Sequence, residues 1–107
     1  MANMPEMKVT AGRFVNIYNP SIDKGEPWYI NDHTIYQDAA GQWRLVGITH
    51  AEPADPFNET HLAHACADCL HGPWQTEPFA AVADPDAGET VLWAPHVIRH
   101  AGQFWMF

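Results

Sequence analysis

Apolar and polar positions along this chain alternate in short runs, and no window keeps a helical period over three turns. The pattern predicts an all-β fold. The clearest pair of runs is 28–36 and 42–49, both rich in aromatic and β-branched residues. Between them Gln37-Asp38-Ala39-Ala40-Gly41 reads as a tight turn, so the two runs are antiparallel strands of a hairpin. Upstream, 13–18 gives a short strand with Val15 and Ile17 on one face and Phe14, Asn16 and Tyr18 on the other, and 19–27 is a loop by its turn residues. Downstream, 50–58 carries two prolines and is an irregular excursion. Residues 60–66 fit a strand or a helical turn, because Ala63 and Ala65 have little β preference, and Gly72-Pro73 ends that segment. A further strand over 74–82 is interrupted by Pro78, and 83–88 is a turn-rich loop. Strands at 91–99 and 103–107 form a second hairpin around His100-Ala101-Gly102.

The two hairpins match each other. His33-Thr34-Ile35-Tyr36 corresponds to His96-Val97-Ile98-Arg99 at a shift of 63, and Gly41-Gln42-Trp43 to Gly102-Gln103-Phe104 at a shift of 61. The difference falls inside the turn, where changes of length cost least. A hairpin recurring after about 60 residues, with two strand-like segments between copies, gives the four-stranded unit of a β-propeller blade. The expected organisation is an N-terminal segment (1–27), a first blade (28–90) and the start of a second (91–107). That is a partial β-propeller of antiparallel hairpins, holding about one and a half blades.

Composition narrows the class. A hydrophobic content of 47% with five Trp and five Phe excludes a disordered chain. With 13 Asp and Glu against five Lys and Arg, the net charge of −8 leaves no basic footprint for nucleic acid or an anionic membrane. No segment reaches the ~20 apolar residues of a membrane helix, and the opening residues lack a signal-peptide core. The expectation is a cytoplasmic protein. Two cysteines are too few for a disulfide framework.

Three segments resemble the five-bladed propeller glycoside hydrolases of family 43 (arabinanases, xylosidases) and family 32 (fructosidases). Asn31-Asp32-His33-Thr34-Ile35, followed by Gly41-Gln42-Trp43-Arg44-Leu45, is similar to their opening blade. The stretch from Leu62 through Leu70-His71-Gly72-Pro73-Trp74 resembles a segment ending Leu-x-Gly-Pro-Trp, and Trp93-Ala94-Pro95 resembles the entry to the second blade. His96 departs from the pattern, which commonly has an acidic residue there. The resemblance implies that Asp32 is the general base or nucleophile of glycoside hydrolysis. It also implies a carbohydrate ligand, with Asn31, His33, Trp28, Trp93 and His96 as substrate contacts. The family's acidic partner residues belong to later blades, so Asp32 lacks its proton donor within this chain. A carbohydrate-binding or self-assembling module without catalysis is the alternative.

A lone blade leaves apolar faces wet, and fully burying each large side chain is worth roughly 1.5–3 kcal/mol. The chain is therefore expected to form a homo-oligomer through its terminal strand, or to belong to a larger propeller. No metal or cofactor is expected at the Asp32 site. His61, His64, Cys66, Cys69 and His71 are the densest group of metal-ligand types and give a second alternative, a small zinc-binding protein. A strand over 61–66 would turn His61 and His64 to opposite faces, whereas a helix would bring them together.

Overall fold

A computed structural model describes residues 3–107, and its regular elements are antiparallel strands with two short 3-10 turns, Pro56–Asn58 and Pro85–Ala87. Strands β1 (Trp28–Gln37), β2 (Trp43–Ala51), β3 (His61–Ala67) and β4 (Gln75–Val82) form a four-stranded meander in chain order. A separate hairpin of β5 (Val97–His100) and β6 (Gln103–Met106) packs near β1.

The central strands β2 and β3 send apolar side chains to both faces of the sheet, so both faces need cover. On the first face Leu45, Ala65, Ala67 and Trp74 make the core, with Trp43, Ile30 and Ile35 packed against it. The alanines on β3 make room here for two large indoles, and Trp74 Nε1 donates to Leu70 O at 3.0 Å. Ile17 and Tyr18 close this face, with the Tyr18 hydroxyl 3.2 Å from Thr76 Oγ1. On the second face Val46, Ile48 and Leu62 form a separate core with Tyr36 and Leu92. The β5–β6 hairpin covers part of it, the Tyr36 and Phe104 rings lying 5.4 Å apart.

Side-chain chemistry sets the first hairpin turn. Asp38 Oδ1 accepts from the backbone N–H of Ala40 and of Gln42, each at 3.0 Å, while Gly41 takes φ +82°. The second turn is shorter, with Ala101 and Gly102 both at positive φ between the paired His100 and Gln103.

Three expectations need correction. Residues 13–18 form no strand: Phe14 and Val15 are exposed and only Ile17 and Tyr18 reach the core. Asn16 Oδ1 accepts from Tyr18 N–H at 3.1 Å, so a local side-chain bond holds the backbone where a ladder was expected. The strand expected from Val91 begins only at Val97, because Ala94 takes φ 49° and Pro95 offers no N–H to a ladder. Pro78 does not break β4. It sits on an edge strand in an irregularity, where Pro78, Phe79 and Ala80 together oppose Ala63 between the pairs His64↔Glu77 and Leu62↔Ala81.

Candidate functional site

The site is built on a fault in the β1–β2 ladder. Pairing is regular from Trp28↔Ala51 to Ile30↔Thr49 and again from His33↔Gly47 to Gln37↔Trp43. Between these runs Asn31 and Asp32 oppose Ile48 alone, a two-for-one β-bulge. Side chains alternate along a strand, so Ile30 and Ile35 would fall on opposite faces of a regular β1. The bulge puts both against the first-face core. Packing on either side therefore fixes the fault, and Asn31, Asp32 and His33 emerge exposed from the edge strand.

An open basin of about 590 Å³ lies at this point, lined by Ile30, Asn31, Asp32 and His33 on one wall and Ala94 and Pro95 on the other. The second wall is held by β5 and β6. His96 and Phe107 exchange backbone N–H···O bonds of 2.9 Å just beyond the hairpin's ladder. Val97 N–H donates to Thr34 Oγ1 at 3.4 Å, tying β5 to β1. His33 Nδ1 lies 3.1 Å from the Asn31 carbonyl, which can only accept, so Nδ1 carries the proton and Nε2 is left free. The ion pair among the described residues is Asp38–Arg44, and the Asp32 carboxylate is not part of it.

The other expected contacts fall into two groups. Trp93 and His96 are exposed and bracket the Ala94-Pro95 wall without lining the basin. Trp28 is elsewhere, on the first face, with its ring centroid 6.1 Å from Phe79 and 6.2 Å from His50 and with Lys24 Nζ 5.4 Å above it. The neighbouring Tyr29 donates its hydroxyl to the buried Glu59 at 2.7 Å. Burial, reinforced by that bond, raises the Tyr29 phenol above its ordinary value.

The cysteine–histidine group does not converge. Residues 61–67 are a strand, so His61 shares the first face with Thr49 while His64 and Cys66 point to the second. Cys69 donates to Gly72 O at 2.9 Å within its own turn. Among the described residues no group of three or more His, Cys, Asp or Glu is placed to hold a metal ion. Cys66 instead donates to Glu77 Oε1 at 3.0 Å, and that bond, with burial, pushes its thiol up. His64 lies 3.5 Å from Arg44 Nη1, and burial together with that cation lowers its imidazole. His64 and Glu77 line a second cavity of about 500 Å³ between the second face and the hairpin.

Sequence reasoning placed Asn31, Asp32 and His33 in a site but missed Ile30, Ala94, Pro95 and the bulge that presents them. Gly47, inside the apolar run Leu45-Val46-Gly47-Ile48, was the available signal, since an interior strand glycine often marks a bulge or a close approach.

No protein-family model, curated protein or solved structure matches this chain. Among the described residues no helix is long and apolar enough to cross a membrane.

Proposed function

We propose that the basin recognises a carbohydrate, and that the chain is the opening part of a glycoside-hydrolase-type propeller. In this reading β1–β4 are the first blade and β5–β6 begin the second. One observation carries it: Asn31-Asp32-His33 and Ala94-Pro95, which lie in the two end segments of the resemblance, line the same basin. An amide, a carboxylate and an imidazole side by side offer both donors and acceptors to neighbouring sugar hydroxyls. Thr34 and Val97, which correspond in the internal repeat, touch through a hydrogen bond, as expected for adjacent inner strands of successive blades.

For hydrolysis Asp32 would serve as general base or nucleophile. It would then need a second carboxyl roughly 5–5.5 Å away for retention or 6.5–9.5 Å for inversion. Asp32 is the carboxylate among the basin's lining residues, and Glu59 is committed to Tyr29. That favours recognition without turnover for the single chain. Calorimetry with xylo-, arabino- and fructo-oligosaccharides tests the reading, alongside turnover of the matching aryl glycosides. Binding that weakens in Asp32→Asn supports it; no heat with any of the three sugars overturns it. Turnover abolished by Asp32→Asn would show that the chain also catalyses.

A further inference from the structure

We infer that Gly47 is the residue that positions the recognition wall, by leaving the space into which the bulge settles; the inference rests on the carbohydrate reading above. Gly47 has ordinary negative-φ strand geometry, so its lack of a side chain is not demanded by backbone conformation. Space demands it. A Cβ there would lie 2.8 Å from His33 Cβ and 3.0 Å from both Ile30 Cγ1 and Ile30 Cδ1. Those two residues are the last regular pair before the bulge and the first after it. A methyl group at 47 therefore presses on both ends of the two-residue loop at once. The Ile30 tip can rotate away, but His33 Cβ is fixed to the backbone and can move only with it.

Ile30 and His33 both line the basin, with Asn31 and Asp32 between them, so one contact governs the whole polar wall. The opposite wall carries a matching constraint at Ala94, a residue with a side chain held at φ 49°. Gly47 itself does not line the basin. It acts through the backbone of 30–33, and a displaced wall that loses one or two hydrogen bonds to a ligand costs about tenfold in affinity.

The test compares Gly47→Ala with Val46→Ala in the full chain. Val46 is the adjacent residue on β2, is 2% exposed and belongs to the second-face core. Its truncation destabilises the sheet without pressing on the bulge. Two readouts are taken: the amide shifts and cross-strand contacts of 30–33 by NMR, and affinity for whichever oligosaccharide binds the wild type. Gly47→Ala is expected to move the Asn31–His33 amides and lower affinity about tenfold. Val46→Ala, though less stable, is expected to leave both near wild type. Unmoved Asn31–His33 amides in a folded Gly47→Ala protein overturn the assignment, as does equal loss of affinity in both variants. Should the wild type bind none of the sugars, the carbohydrate reading fails. The register readout alone then decides whether Gly47 sets the bulge.

Discussion

Asp32 is an exposed carboxylate on an edge strand, and its surroundings separate it from the other acids near the sheet. Asp38 is held below the usual carboxylate range, first by its bond to Arg44 and then by backbone N–H groups of its own turn. Glu77 accepts from a thiol, and Glu59 from a phenol. Asp32 sits with Asn31 and His33 on a wall facing open space. The thiols divide in the same way. Cys66 is buried, donates to Glu77 and is pushed up, whereas Cys69 is exposed in a turn. Ellman's reagent is therefore expected to modify Cys69 quickly and Cys66 slowly until the protein is denatured, because the thiolate is the reacting species. Equal rates at native pH would contradict the placement. The histidines give a pH dependence of definite sign. Burial lowers His61 and His64 below the ordinary 6.5, so the unfolded chain takes up protons that the folded one resists. The thermal midpoint is expected to hold above about 6.5 and to fall as the pH drops from there toward the folded values. His64→Gln should flatten part of that fall.

At the scale of elements, what binary pattern can express was legible, and what register decides was not. The β1–β2 hairpin follows from alternation and a Gly-bearing turn, and both ends of the ladder lie close to where the pattern put them. The bulge does not show in the alternation, because a two-for-one step leaves each residue still looking like part of a strand. Gly47 hints at it, and the structure adds Ile30 and Ile35, two isoleucines of opposite parity that share one core. Strand β3 was ambiguous because alanine has little β preference, and the space required by Trp43 and Trp74 overrode that preference. The placement of Trp28 was missed for a related reason. Alternation says which face a side chain takes, but not that Lys24 and Phe79 will enclose it there. The contact between the two hairpins rests on Thr34 and Val97. Thr34→Val keeps the shape and removes the acceptor, so it should cost about 1 kcal/mol in denaturant unfolding and speed exchange of the Val97 amide. An unchanged Val97 exchange rate would show that the bond does not hold the second wall.

For the molecule as a whole, the distribution of apolar surface matters most. The first face is closed by the chain's own N-terminal segment, and the second is partly closed by the β5–β6 hairpin. That hairpin is apolar on its outer side too: Ile98 and Trp105 pair across the strands and are 42% and 49% exposed. Trp93 and Phe107 are exposed as well. A strand pair with apolar residues on both sides is suited to burial on both. Light scattering is therefore expected to give a mass above the 12.0 kDa of one chain, with Trp105→Glu shifting it down; a single species at monomer mass would count against assembly. If the bulge wall and the Ala94-Pro95 wall form one recognition surface for sugars, an NMR titration with oligosaccharide will show both walls responding together. The amides of Asn31, Asp32, His33 and Ala94 are expected to move together along one saturating curve, while those around the second cavity, such as Val46 and Glu77, stay still. Saturating sugar that moves none of the four, or moves only the second cavity, would contradict that surface.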